Sequence, residues 1–179
     1  MLIIILNSGD NIKAILLIFF IVLNLYANES LSNGKKHIKW DFEKAYQEMK
    51  PLMDKAIVIG EGTQKFYMFI DPLCKYSKKL LKMINKPKNL ESKEYKYYIF
   101  LLRLPQFNSM PYIYYILESK NPKEELLNIM LKNKKVESYK NKEESKIFYD
   151  TVNEIGIKLD IYKRPYIFIT PDKDEEDWD

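Results

Sequence analysis

Cysteine and histidine are almost absent from this chain of 179 residues, which holds one of each, Cys74 and His37. A single thiol cannot close a disulfide within its own chain, so stability has to come from an ordinary apolar core. Clusters of Cys and His at ligand spacing are missing, which leaves no zinc, iron–sulfur or haem site. His37 stands among lysines and reads as a solvated side chain rather than a metal ligand. Charge of one sign is scarce too. Lys and Arg total 29 against 25 Asp and Glu, a formal net charge of +4. The lysines are mixed with glutamates, the pattern of a solvated surface and not of a nucleic-acid footprint. There is no internal repeat, no low-complexity linker and nothing that supports a nucleotide or other cofactor.

The apolar run Ala14 to Leu25, interrupted only at Asn24, is also short. A bilayer-spanning helix needs about 20 apolar residues, and an export signal needs fewer. Lys13 precedes the run and Leu25-Tyr26-Ala27 offers a cleavage site after Ala27. Residues 1–27 are therefore predicted to be a signal peptide, with an uncleaved anchor as the alternative. The folded part is then exported, to the periplasm of a Gram-negative bacterium, and meets the membrane only through this segment if it is retained. The chain beyond residue 27 is long enough for one domain with a full core.

Residues 28–39 are polar. Asp41 is placed to cap a helix with Phe42, Ala45, Tyr46, Met49 and Met53 at helical spacing, and Pro51 should end or bend it. Ala56 to Ile59 reads as an edge strand closed by Gly60-Glu61-Gly62. Lys65 to Ile70 is a strand whose continuous apolar character implies burial on both faces. A helix comes next, from Cys74 to Asn85, with Leu80, Leu81 and Ile84 inward, and Lys86 to Asn89 stops it. Tyr95 to Leu102 is the next strand. Helical stretches are expected over Pro111–Leu117, Lys123–Leu131 and Glu143–Ile155, the last with Ile147, Phe148, Val152 and Ile155 as its apolar stripe and Gly156 as its terminator. Tyr166 to Thr170 is a final strand. The order is that of an α/β fold built on a βαβ unit, a helical layer around a largely parallel sheet. The aromatic runs Tyr97 to Phe100 and Tyr112 to Tyr115 fall on a strand and a helix, and read as core or rim rather than as base-stacking surfaces.

The segment Phe66-Tyr-Met-Phe-Ile-Asp71-Pro-Leu-Cys74-Lys-Tyr-Ser77 carries the chemistry. An apolar strand runs into an Asp-Pro turn, and the only cysteine sits where a helix begins. Unpaired amides and aligned peptide dipoles at a helix start favour a thiolate over a thiol. Together with Tyr98 to Pro105, and with Ile155 to Leu159 and then Arg164-Pro165-Tyr166-Ile-Phe168, this segment resembles the thioredoxin superfamily, nearest to the catalytic domain of periplasmic Dsb-type disulfide isomerases. The resemblance covers residues 64–170. It implies a thioredoxin-like domain over residues 61–179 with a helical insertion, preceded by a polar segment and short helix over 28–60. It also implies a cis Pro165 lying against Cys74 and available to a bound peptide, with Tyr76 and Pro72 beside it in the substrate-binding surface.

Three departures from the family pattern stand out. Ser77 replaces the resolving cysteine, giving Cys-x-x-Ser. Arg164 precedes the proline, where the family has a small or β-branched residue. The terminal strand and helix of the family fold have no counterpart in the sequence after Thr170, where an acidic tail with Trp178 is found, and the N-terminal part is short for the isomerases' dimerisation domain. The resemblance points to thiol–disulfide exchange on proteins with disulfides or free thiols, with Cys74 as nucleophile, a hydrogen bond from the Ser77 hydroxyl to the sulfur, and the Arg164 charge nearby. Release would come from a substrate thiol, a small thiol or a membrane reductase. Two other readings stand beside it: a non-catalytic module that holds a peptide in the same groove, in which Cys74 is an inert buried thiol, and an incomplete gene product. Asp71 is expected to cap the helix, with proton acceptance from Cys74 as the alternative.

Overall fold

A computed structural model of the chain describes residues 40–87, 89, 93–136, 139–140 and 142–171. The predicted export signal, the polar stretch with His37 and the acidic tail with Trp178 lie outside the described residues. Asp41 opens helix α1 (Phe42–Met49), its carboxylate accepting the Glu43 amide at 2.7 Å. That satisfies one of the donors a helix start leaves open. Pro51 has no amide to give, and the chain tightens into a 3-10 turn over Lys50–Lys55.

Strand β1 (Ile57–Ile59) then reverses into β2 (Gln64–Ile70) through two glycines. Gly60 has φ +80°, and a Cβ on Gly62 would stand 2.0 Å from the Glu94 carbonyl carbon. The turn is thus pressed against the start of β3 (Tyr95–Leu101), where Gly62 donates its amide to the Tyr95 carbonyl at 3.0 Å. Helix α2 (Lys75–Ile84) links β2 to β3. Helices α3 (Met110–Leu117), α4 (Pro122–Lys132) and α5 (Glu143–Lys158) come after it, and β4 (Tyr166–Ile169) completes the described sheet.

The sheet order is β1-β3-β2-β4. Only β2 and β3 run parallel; β1 pairs antiparallel with β3, and β4 antiparallel with β2. The expectation of a largely parallel sheet is corrected accordingly. A crossover helix enforces parallel pairing only within the β2–α2–β3 unit, and the outer strands each enter from the opposite end. The apolar run of β2 is buried on both faces, as its sequence implies: Tyr67 and Phe69 on one side, Phe66, Met68 and Ile70 on the other. Tyr67 and Phe69 lie in a core with Ala45, Met49 and Leu52 from the N-terminal helical turns and Phe148, Val152 and Ile155 from α5. Registered pairs add ring contacts across the sheet, with Tyr67 stacked on Tyr98 at 5.1 Å between centroids and Phe69 tilted against Phe100 at 5.1 Å.

Two helix expectations need correction. Gly156 does not end α5 but lies buried inside it, because a Cβ there would meet Leu102 Cδ2 at 2.5 Å. The glycine lets the helix approach the exit of β3. Ile147 is 59% exposed, and the buried stripe is Phe148, Tyr149, Val152 and Ile155. Replacing Gly156 by valine should therefore destabilise the chain by about 1–3 kcal/mol through overpacking on Leu102, despite the better helix propensity of valine. Urea unfolding would show a lower midpoint at unchanged slope; an unaltered midpoint would mean that the helix can move away from the sheet.

Burial also sets the alkaline behaviour. It pushes the phenol of Tyr67 up from 10.0 to about 12 and raises those of Tyr97, Tyr149 and Tyr166 as well. The unfolded chain ionises these groups near the ordinary value, so the neutral phenols stabilise the fold fully below pH 10. That contribution is lost as pH rises from about 10 toward 12. Phenolate absorbance should rise together with loss of circular dichroism in this window. Smooth titration of every tyrosine near pH 10 with the fold intact would contradict the packing described.

Candidate functional site

The turn after β2 builds the site. The Asp71 carbonyl accepts the Cys74 amide at 3.1 Å, and the Cys74 carbonyl accepts the Lys78 amide at 2.9 Å. Cys74 is thus the N-cap of α2, with extended backbone (φ −75°, ψ 122°). It makes no side-chain capping bond to the helix. Its thiol is instead directed toward the Arg164 carbonyl, 3.5 Å from Sγ. The first amides of α2 have no intrahelical partner. The Arg164–Pro165 peptide bond is cis, so the bond after that carbonyl is the one the sequence singled out. Two segments 90 residues apart are brought together here.

The residue Cys74 is 4% exposed, and Pro72 and Pro165 are buried with it. Tyr76 (39%) and Leu73 (38%) form the exposed rim. Ser77 is fully buried; its hydroxyl oxygen lies 3.4 Å from the Asp71 amide, which donates to it. The expected hydrogen bond from Ser77 to the sulfur is replaced by the thiol's contact with the Arg164 carbonyl.

Arg164 differs most from expectation. Its guanidinium is turned into the protein rather than toward a substrate. Nε donates to the Leu102 carbonyl at 3.0 Å, one terminal nitrogen to Ile161 at 3.0 Å and Lys163 at 2.9 Å, and the other to Arg103 at 3.3 Å. Burial lowers its pKa from 12.5 to about 10, against the opposing influence of Asp71, Tyr149 and Cys74. The guanidinium remains protonated at neutral pH and fastens the loop before Pro165 to the exit of β3.

Asp71 does not cap α2, because Cys74 holds that position. Its fully buried carboxylate accepts the Leu73 amide at 2.7 Å, the Leu104 amide at 2.6 Å and the Ser109 hydroxyl at 2.7 Å. Asp71 and Arg164 therefore grip the segment 102–104 from two sides, one by its amide and one by its carbonyls. Ser109 is a residue the sequence did not single out. It stands at the N-cap of α3, ahead of Pro111, yet makes no side-chain capping bond because its hydroxyl donates to Asp71. A Ser before Met-Pro reads locally as a helix start, and nothing local ties it to an aspartate 38 positions earlier. No group of metal-binding side chains occurs among the described residues.

No protein-family model and no curated protein matches the sequence. Solved structures do match by fold. The catalytic domain of Proteus mirabilis ScsC aligns with TM-score 0.52 and 15% identity over 75% of this chain and 94% of that one. Helicobacter pylori DsbG aligns with TM-score 0.56 and 17% identity over 94% of this chain and 74% of that one. A disulfide interchange protein from Neisseria gonorrhoeae gives 0.51 and 18% over 64% and 79%. At these identities the likeness is one of backbone. The chain has a thioredoxin-like fold of the kind seen in Dsb-type proteins, with α3 and α4 inserted between β3 and α5.

Proposed function

We propose that the chain is an exported thiol–disulfide exchange protein, isomerase- or reductase-like, that acts on protein substrates through the single thiol of Cys74. The observation that carries this reading is the position of that sulfur, at the N-cap of α2 and 3.5 Å from the carbonyl that precedes Pro165. The peptide groups of the Arg164–Pro165 loop beside it would pair with an extended substrate backbone. The similar structures include one described as a disulfide interchange protein. Export to a periplasm is supported by the sequence of residues 1–27. The attacking thiolate would form a mixed disulfide as the substrate disulfide breaks. A second substrate thiol or a small thiol would then release it, since Ser77 cannot. Arg164 and Asp71 serve as positioning residues that hold the two halves of the site in register.

One observation favours a second reading, a non-catalytic peptide-binding module: Cys74 is only 4% exposed. Incubating the wild-type chain and Cys74→Ala with a scrambled disulfide-bonded substrate and a glutathione buffer separates the two. Recovery of substrate activity that depends on Cys74 supports exchange. Equal recovery with both proteins, alongside peptide binding by both, supports the module.

A further inference from the structure

A cleft of about 560 Å³ lies between the segments 54–58, 117–123 and 142–148, and shares no residue with the surroundings of Cys74. Helix α3 separates the two. Ser109, bonded to Asp71, precedes its first residue, and Leu117, its last, lines the cleft, roughly 12 Å further along the axis. The volume suits a small molecule.

Ser145 supplies the observation that points to a ligand. It is the third residue of α5, is 7% exposed, and lines the cleft. Its hydroxyl has no hydrogen-bond partner among the described residues. Nor is that oxygen sealed from solvent, for Trp40 Nε1 is the one side-chain polar atom among the described residues that is both sealed and unpaired. An otherwise buried serine thus opens its polar tip on the cleft, where water or whatever displaces it must satisfy the hydroxyl. Helix α5 also begins without a side-chain cap. The amides of its first turn have no intrahelical partner and form the positive end of the helix dipole.

The charges lining the cleft are unevenly committed. Lys55 is held by Glu144 at 2.7 Å, whereas Lys120, Lys123 and Lys142 are exposed and form no ion pair among the described residues. Of the acids, Glu118 accepts the Lys140 and Lys142 amides at 2.7 and 2.6 Å and Glu144 is taken by Lys55, which leaves Asp54. The balance favours an anion. Three carboxylates in the same lining make a doubly charged one unfavourable. Ile57 and Phe148, both buried, and half-buried Leu117 give the cleft an apolar wall.

We propose that this cleft binds a small monocarboxylate with an apolar body. The carboxylate accepts the Ser145 hydroxyl and the open amides of α5, and the body lies on Ile57, Leu117 and Phe148. The site is independent of Cys74, so it stands or falls apart from the exchange reading.

The test titrates the isotope-labelled full chain with phenylbutyrate and follows its amide resonances. Saturable shifts are expected at Val58, Ser119 and Ser145. The neutral phenylbutyramide should bind about tenfold more weakly, and inorganic phosphate, which has no apolar body, should not displace phenylbutyrate. Ser145→Ala should raise the dissociation constant about tenfold, the loss of one hydrogen bond to a charged group. Because that hydroxyl has no protein partner to lose, the urea midpoint of Ser145→Ala should stay at or above the wild-type value. Lys120→Gln with Lys142→Gln should weaken binding, and the equal charge change Lys44→Gln with Lys82→Gln should not. Shifts that never saturate or that centre on Cys74, equal binding of acid and amide, or displacement by phosphate would overturn the inference. So would unchanged affinity or a lowered midpoint in Ser145→Ala, or equal effects of the two lysine pairs.

Discussion

Replacing Asp71 by alanine is expected to destabilise the chain by about 3–5 kcal/mol, the cost of removing one partner from a buried charged network. The carboxylate is fully buried and accepts from Leu73 N, Leu104 N and Ser109 Oγ. Alanine would leave those donors without an acceptor in a place water does not reach, and each buried orphan costs about 1–3 kcal/mol. It would also remove the largest opposing charge that keeps the buried Arg164 guanidinium protonated. The melting temperature should fall by roughly 10 °C or more for a unit of this size. Asp71→Asn retains an acceptor oxygen at similar volume and should lose less. A denaturation midpoint for Asp71→Ala within error of wild type would show that the segment 102–104 is held by something other than this carboxylate.

The second large effect concerns the position one turn beyond the thiol. Ser77→Cys should convert a monothiol into a dithiol that closes a reducible disulfide with Cys74 in a glutathione-disulfide buffer. Both positions lie in the first turn of α2, at N-cap and N3, on the same side of the helix. Ser77 is fully buried, and cysteine tolerates burial and approximates serine in volume, so the substitution should fold. Its loss is the long 3.4 Å bond from the Asp71 amide, which the cysteine sulfur accepts more weakly, at a cost of about 1 kcal/mol. The new thiol would also attack the mixed disulfide from within the chain, so a substrate adduct that persists on the wild type should decay many times faster. A thiol count with both cysteines still free after oxidation would mean that α2 does not present these positions together.

Much of this architecture was legible because local chemistry and tertiary fold agree. The run Lys65 to Ile70 reads as a doubly buried strand and is one, Asp41 reads as a cap and caps α1, and the Asp-Pro turn delivers Cys74 to the start of α2. The thioredoxin-like order of elements was legible from three separated segments together. The features that escaped were set by contacts far apart in sequence. Gly156 carries the local mark of a helix end, but its lack of a side chain answers to Leu102, 54 positions earlier, across a helix–sheet contact. Arg164 next to a thiol reads as a charge for the thiol, yet the carbonyls of residues 102 and 103 draw its guanidinium inward. Ser109 looks like a helix cap, and only the folded chain reveals Asp71 as its acceptor. Strand direction depends on the connections: one crossover fixes β2 parallel to β3, the short glycine turn reverses β1 against them, and the long helical connection brings β4 back antiparallel to β2.

Whether Cys74 is a nucleophile in the folded chain can be read by trapping its adduct. Wild-type chain is mixed with an excess of a disulfide-bonded protein substrate, quenched with acid, and analysed intact by mass spectrometry. A one-to-one adduct joined through Cys74, released by reductant and absent from Cys74→Ala, is the predicted result. A thiol that stays unmodified in the folded chain and reacts only after denaturation would contradict it.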